Sequence, residues 1–430
     1  VPELNDGSSN SLIISNGGRV ANNRGYIGFD STSSNNSVLV TGANSLWTNS
    51  SLFYIGSYGS GNTLVISNGG RVADLFGYIG LASSNNSVLV TGTNSLWSNR
   101  GQLYVGFVGS SNSLTIADGG TVANTIGYIG YNANSSNNSV LVTGAGSLWT
   151  NSGELYVGNG NNLTIADGGT VAASSITIAQ EAGSSGTLNI GRFGTNDAAG
   201  TIIAPTIAFG DGTGSINFNQ SNSTTLSAAI SGNGSVNQLG SGTTTLTASN
   251  RFSGPLSVEA GTLQLASATG SAAGSVTSVS VRSGATLLVS QSNQVNNNAT
   301  VTLSGGTITR GSGVSEVFGN LNLTQASFLD FGSGATGTIT FGTYAPSALL
   351  TINNFGLGNT LVFGSDLTST INNSSFFTFT NGGIASSSWN DGTSTFTITA
   401  IPEPSTYVAA LALLALMLWP LRRRLRGKVS

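Results

Sequence analysis

The sequence predicts an all-β chain. We read it as a right-handed parallel β-helix of about 25 residues per coil, with a short C-terminal membrane helix. Three observations carry that reading: a motif that recurs at a fixed period, strands of three to five residues separated by Gly and Asn, and one apolar stretch followed by a basic cluster at residues 407–426.

The period comes first. Ser15-Asn16-Gly17-Gly18-Arg19-Val20-Ala21 returns at Ser67, at Ala117 and at Ala166, in steps of 52, 50 and 49 residues. A second motif, Asn36 to Thr41 followed by Ser45-Leu46-Trp47, alternates with it and recurs at Asn86–Trp97 and Asn138–Trp149. Both are versions of one unit: strand, Gly turn, strand, polar loop, and a third strand ending in Gly. The third strands read Tyr26-Ile27-Gly28, Tyr54-Ile55-Gly56, Tyr78-Ile79-Gly80, Tyr104-Val105-Gly106, Tyr128-Ile129-Gly130 and Tyr156-Val157-Gly158. Units of this length indicate stacked architecture.

The strands are rich in Val, Ile, Leu, Tyr and Thr, which suit a pleated, half-buried surface. Gly and Asn between them supply positive-φ turns. No window before residue 405 combines helical periodicity with caps. Trp47, Trp97 and Trp149 are expected to stack at one wall position inside the column. The Tyr-Ile/Val pairs are expected to form core ladders too, and Asn at equivalent turns to form amide ladders. Looser strands continue at Ile176–Ile178, Leu188–Ile190, Ile207–Phe209 and Ile216–Phe218.

Composition narrows the function. The 430 residues include 61 Gly, no Cys and no His, and only 7% are charged. Residues 1–400 carry eight Arg against fifteen Asp and Glu, so nucleic acid is not an expected partner. Without Cys there are no disulfides, thiolate metal sites or thiol catalysis. The chain opens at Val1, which leads us to expect a secretory leader upstream in the gene product.

Catalysis is not expected. The acids Asp30, Asp74, Asp118, Glu154, Asp167, Glu181, Asp197 and Asp211 are scattered singly, and the usual general bases are missing. Asp118 and Asp167 share a repeat position with Asn16 and Asn68, which reads as turn chemistry. A calcium site is the alternative there, but hard cations want several oxygens. Arg19 and Arg71 recur in phase and read as outer-wall decoration, with contact to an anionic glycan as the alternative. No catalytic, cofactor or metal residue is assigned, and no cofactor is implied.

Residues 231–267 change character. Gly240–Thr247, Asn250-Arg251-Phe252-Ser253-Gly254 and Ala260–Leu265 resemble the autotransporter-associated β-strand repeat of bacterial surface proteins, with Arg251-Phe252 in place of the more usual Thr-Tyr. No set of strands long enough for an outer-membrane barrel follows before residue 401. The chain thus divides into a repeat solenoid (1–230), this repeat (231–267), further solenoid or a β-cap (268–400) and a tail (401–430).

In the tail, Pro402-Glu403-Pro404 precedes the apolar run Tyr407–Trp419 and the cluster Arg422, Arg423, Arg424 and Arg426. Fifteen helical residues from Tyr407 to Leu421 span roughly 22 Å, short of the roughly 30 Å hydrocarbon core. The Arg cluster should stay cytoplasmic. The arrangement resembles the PEP-CTERM sorting signal. The resemblance implies recognition by an exosortase-type membrane processing enzyme in a Gram-negative bacterium, with Pro402, Glu403, Pro404 and the Arg cluster read by that enzyme. It also implies transient anchorage in the inner membrane and delivery to the cell surface.

The expected function is that of a secreted or surface-anchored structural or adhesive β-helix protein of the extracellular matrix, with extracellular polysaccharide as a partner. The alternatives are a polysaccharide lyase or hydrolase, and a non-catalytic glycan-binding module, on the same scaffold.

Overall fold

The computed structural model describes residues 7–332, 336–380, 384–400 and residue 413. The fold is an all-β parallel solenoid of the right-handed type, with about 15 turns. It divides into two compact units, residues 1–280 and 281–430.

In the first unit each coil contributes strands to parallel walls. The first wall runs from Ser11–Ile14 through Ser37–Thr41, Thr63–Ser67 and Ser87–Thr91 onward to Leu256–Val258. The second runs from Arg19–Asn22 through Leu46–Asn49 and Arg71–Asp74 to Thr201–Ile203. The third runs from Gly25–Ile27 through Leu52–Ile55 and Phe76–Ile79 to Arg251–Phe252. The strands at 176–178, 188–190, 207–209 and 216–218 form as the sequence reading expects.

Alternation along each short strand decides what is inside. Val38 and Val40 pair with Leu64 and Ile66, and all four are buried. Identical or similar side chains therefore stack coil on coil into continuous apolar columns.

The turn from the first to the second wall explains the recurring Gly-Gly. Asn16 and Gly17 both have positive φ, 54° and 78°, and the Gly18 N–H donates to the Ser15 carbonyl at 2.8 Å. This is the type I′ turn that Asn-Gly favours. Asn68, Asp118 and Asp167 hold the same conformation at φ 52°, 51° and 49°. The reading of Asp118 and Asp167 as turn residues agrees with that geometry.

One expectation about the core is corrected. Trp47, Trp97 and Trp149 share a wall position, but they do not stack on one another. The register places Val72 between Trp47 and Trp97, and Val122 between Trp97 and Trp149. Large and small side chains alternate, so each indole fills space that the neighbouring valines leave. All three indoles are buried.

Coil length shortens along the unit. Partners in the first wall are 26 residues apart at Ser37 and Thr63. They are 20 apart at Gly214 and Gly234 and again at Val236 and Leu256. In these shorter coils a separate parallel ladder, Ser223–Leu226 with Thr243–Leu246 and Thr262–Leu265, lies in chain order between the first and third walls.

The second unit is built the same way. Thr286–Val289, Thr307–Arg310, Ser327–Asp330, Leu350–Asn353 and Phe377–Phe379 form a parallel ladder with Leu287, Ile308, Leu329 and Ile352 buried. Phe318, Phe341 and Phe363 stack at 5.2 and 5.8 Å. In the neighbouring sheet Asn359–Phe363 pairs antiparallel with Thr395–Ala400, and that strand pairs antiparallel with Ile384–Asn390.

Among the described residues no helix is long and apolar enough to cross a membrane. The expected membrane helix over 407–421 lies outside the described residues, apart from Leu413.

Candidate functional site

The third wall carries the feature with the clearest chemical character. In Tyr-Ile-Gly and Tyr-Val-Gly the hydrophobic residue points inward: Ile27, Ile55, Ile79, Val105, Ile129 and Val157 are buried. Adjacent residues on a strand face opposite ways, so the tyrosines point outward. This corrects the expectation of a tyrosine core ladder. The six rings stack instead outside the apolar core, Tyr26 to Tyr54, Tyr78, Tyr104, Tyr128 and Tyr156, with centroids 4.9–5.0 Å apart. Five are half-buried, and Tyr104 is buried under Phe107 and Tyr131. Adjacent planes lie within 6–21° of parallel.

A second aromatic row flanks the first. Phe29 packs edge-on against Tyr26 at 4.9 Å. Phe107 meets Tyr104 edge-on at 5.2 Å, and Tyr131 meets Tyr128 at 5.1 Å. Phe107 and Tyr131 stack at 4.8 Å. Phe29, Tyr58, Val108 and Tyr131 are exposed. The result is an apolar, hydroxyl-bearing face on the outside of the solenoid.

Burial within the stack pushes the phenols up, Tyr54 to about 12 through desolvation and then the charges of Tyr78 and Tyr26. Tyr78, Tyr104 and Tyr128 are raised for the same first reason. They remain neutral hydroxyl groups at physiological pH. Tyr104 donates to Gln102 and Tyr156 to Glu154.

An internal asparagine ladder fixes the turn behind this face. The backbone N–H of Asn36 donates to Asn62 Oδ1 at 3.0 Å, Asn62 to Asn86 at 3.0 Å, and Asn86 to Asn112 at 3.0 Å. The series extends to Asn10 at one end and Asn161 at the other. This is the amide ladder expected from sequence. It lies directly against the glycine that follows each of the first five tyrosine strands: a Cβ on Gly80, whose φ is +74°, would meet Asn112 Nδ2 at 2.1 Å. Glycine is required there both for conformation and for room.

The ladder stops at Tyr156, where the next coil presents Thr177. A depression of about 360 Å³ opens at that point, with Tyr131, Tyr156, Asn159, Gln180 and Glu181 in its lining. Tyr156 is pushed up to about 12, by burial first and then by its hydrogen bond to Glu154.

The other sequence candidates are dispersed. Arg19 and Arg71 are exposed on the second wall. Asp118 accepts from the Thr91 hydroxyl at 3.1 Å. Asp167 accepts from Thr143 at 3.2 Å and lies 3.4 Å from Arg192, which pairs with Asp197 at 2.6 Å. Among the described residues no group of three or more His, Cys, Asp or Glu could hold a metal ion. Pro402, Glu403, Pro404, Arg422, Arg423, Arg424 and Arg426 lie outside the described residues.

The burial of three ionisable side chains escapes sequence reasoning. Asp74 sits inside the second wall and accepts from the Trp97 indole. In the second unit Glu316 is buried and accepts the N–H groups of Gln294 at 2.7 Å and Val295 at 3.0 Å. Nearby in sequence, Arg310 is buried, donates to the carbonyls of Gly311 and Val314, and lies 5.1 Å over the Phe331 ring. A signal for Asp74 exists in the repeats: Arg71-Val72-Ala73-Asp74 aligns with Arg19-Val20-Ala21-Asn22.

Residues 236–265 match the passenger-associated-transport-repeat. The match falls on the short coils and overlaps the 231–267 segment that resembles the autotransporter-associated repeat. No curated protein matches the chain. The repeat and the solenoid together are consistent with a secreted or surface protein.

Proposed function

We propose that this protein is a non-catalytic adhesive component of an extracellular matrix, holding polysaccharide along the outer face of its third wall. The observation that carries the reading is the outward stack of six tyrosines. Contiguous apolar surface usually marks an interaction site, and here the exposed Phe29, Tyr58, Val108 and Tyr131 rim the half-buried stack. Aromatic rings that carry hydroxyl groups suit sugars, which present C–H faces and a rim of hydroxyls. The rungs repeat every 5.0 Å, close to the advance of one pyranose along an extended glycan. A column of identical rungs thus offers many weak, equivalent contacts, which add by multivalency.

Delivery belongs to the same proposal. The tail from Pro402 to Arg426, through its resemblance to the PEP-CTERM signal, hands the chain to an exosortase-type enzyme at the inner membrane, which releases it to the surface of a Gram-negative cell. Absence of turnover is supported by the lack of His and Cys and by the isolated acids.

The test is retention on immobilised extracellular polysaccharide, with products analysed for new reducing ends and unsaturated sugars. Retention without new ends is expected, and it should weaken when Tyr54, Tyr78 and Tyr128 are changed together to serine. Equal retention of that variant would remove the aromatic face from the account, and new ends would favour the lyase or hydrolase alternative.

A further inference from the structure

The way the tyrosine ladder ends builds a more specific feature. Every rung from Tyr26 to Tyr128 has another ring stacked on the side toward the following coil. Tyr156 has Thr177 there instead. A threonine side chain is too small to cover a phenol ring. Tyr156 therefore has one face on Tyr128, at 5.0 Å, and no ring on the other, and it lines the depression together with Tyr128 and Tyr131.

The depression has the dimensions and chemistry of a ligand site. Its volume of about 360 Å³ falls at the small end of the roughly 300–1,000 Å³ range of ligand pockets. Exposed Gln180 and Glu181 from the following coil form one side, and Asn159 and Tyr131 form another. An aromatic platform with amide and carboxylate groups around it matches a pyranose, whose apolar C–H face stacks while its hydroxyls donate to acceptors at the rim.

Charge selects among sugars. Glu181 lines the depression, and Glu154 holds the Tyr156 hydroxyl at its edge. No Arg or Lys is among the lining residues. A uronate or sulfated sugar would bring a third negative charge within a Debye length of two others, roughly 10 Å in 0.1 M salt. The geometry points to a binding site for one non-anionic pyranose residue, seated on Tyr156 and hydrogen-bonded at Glu181. This site rests on the reading of the third wall as a glycan-binding face, and adds to it a position and a charge class.

Thr177→Tyr offers the cleanest test. It continues the stack by one rung and covers the ring face of Tyr156 on which the sugar would sit. Calorimetric titration of the full chain with a neutral gluco-oligosaccharide should show binding, and an oligogalacturonate at low salt should bind roughly tenfold more weakly or worse. Thr177→Tyr should lose about tenfold in affinity for the neutral ligand while its melting temperature holds or rises. Glu181→Gln should weaken the neutral ligand and narrow the gap to galacturonate, which keeps the test alive should Thr177→Tyr not fold. Wild-type affinity in both Thr177→Tyr and Glu181→Gln, equal binding of galacturonate, or no binding of the neutral oligosaccharide overturns the site. If polysaccharide is still retained through Tyr54, Tyr78 and Tyr128 in those cases, only the end site falls. If no polysaccharide is retained by the wild-type chain, the wider reading falls with it.

Discussion

The Trp97 indole donates to the Asp74 carboxylate at 2.7 Å, in the place where Trp47 donates to Asn22 at 2.8 Å and Trp149 to Asn124 at 2.7 Å. One acid thus stands in a column otherwise made of amides: Asn22, Asn49, Asn99, Asn124 and Asn151 are its neighbours above and below. Burial pushes Asp74 up to about 7, against smaller opposing effects from the Trp97 hydrogen bond and the charge of Arg100. The folded chain then keeps a proton that the unfolded chain releases near pH 4. Between those values the folded state binds more protons, so stability falls as pH rises from about 4 to about 7 and stays low above.

Asp74→Asn removes that loss. It retains an acceptor for Trp97 and adds a donor beside Asn99, whose side-chain atoms are buried without a partner. We expect the variant to be more stable than wild type at pH 8, by roughly 2–4 kcal/mol, and nearly equal at pH 4. Denaturant melts at the two values decide it. A constant difference across pH would show that Asp74 is ionised in the fold.

The asparagine ladder gives a larger effect of opposite sign. Asn86 Oδ1 accepts both the backbone N–H of Asn62, at 3.0 Å, and its side-chain amide, at 3.2 Å. Asn86→Ala unpairs two buried N–H bonds, the Asn62 backbone N–H and one hydrogen of its amide, whose other hydrogen stays on the Gly59 carbonyl at 2.7 Å, at roughly 1–3 kcal/mol each. Asn86→Asp keeps the acceptor but buries a charge, so its cost should grow above neutral pH. Thermal melts of both variants at pH 5 and pH 8 measure the difference. A loss below 1 kcal/mol for Asn86→Ala would mean that water replaces the amide.

Much of this architecture is legible in the sequence, for a physical reason. A solenoid repeats its environment, so the same residue type returns wherever the same constraint returns. Asn36, Asn86 and Asn138 mark the ladder, and Asn16-Gly17 and its copies mark the type I′ turn. What the repeats leave open is facing. Tyr78 and Ile79 recur together, but only strand alternation tells which of the two is inside, and a core position cannot be shared by adjacent residues. Trp97 recurs at twice the coil period, which signals alternation with valine rather than an indole stack. Asp74 is visible only when the repeats are aligned column by column. The end of the ladder at Tyr156 depends on Thr177, a residue with no signature of its own.

Tyr78 tests how much the outer stack contributes to the fold as well as to binding. It stacks on Tyr54 at 5.0 Å and on Tyr104 at 4.9 Å, and Phe107 meets it edge-on. Aromatic pairs contribute roughly 0.5–1.5 kcal/mol each beyond the area they bury. Tyr78→Ser should therefore cost about 2 kcal/mol, and Tyr78→Phe should restore the stability but not the hydroxyl. Comparing the two separates stacking from hydrogen bonding in polysaccharide retention. If Tyr78→Phe retains polysaccharide as poorly as Tyr78→Ser, the hydroxyl row makes the contact and the ring faces do not.

Asp118 separates turn from cation site. Its φ of 51° is a conformation that Asn, Asp and Gly tolerate and most residues resist. Asp118→Gly and Asp118→Asn should be nearly neutral, whereas Asp118→Ala should lose about 1 kcal/mol. Added calcium should leave the melting temperature of all four proteins unchanged. A rise for the wild type that Asp118→Asn abolishes would establish a cation site at this edge.

The tail prediction follows from length. A helix of fifteen residues, the length of the run from Tyr407 to Leu421, would fall short of the hydrocarbon core by roughly 8 Å. Such a segment can hold a chain only with bilayer thinning or with Trp419 and the arginines reaching for the interface, which suits a temporary stop. The full chain should pass through the membrane fraction, and its surface form should have lost mass near Pro402. Deletion of Pro402–Ser430 should bypass that stop and leave an unprocessed end. Replacing Arg422, Arg423, Arg424 and Arg426 with serine should weaken the hold, if the positive cluster sets on which side the tail stays, as a positive flank does for membrane segments in general. Fractionation with mass measurement of the mature C-terminus reads all three. If the full chain and the deletion reach the same compartment ending at the same residue upstream of Pro402, the tail does not sort this protein.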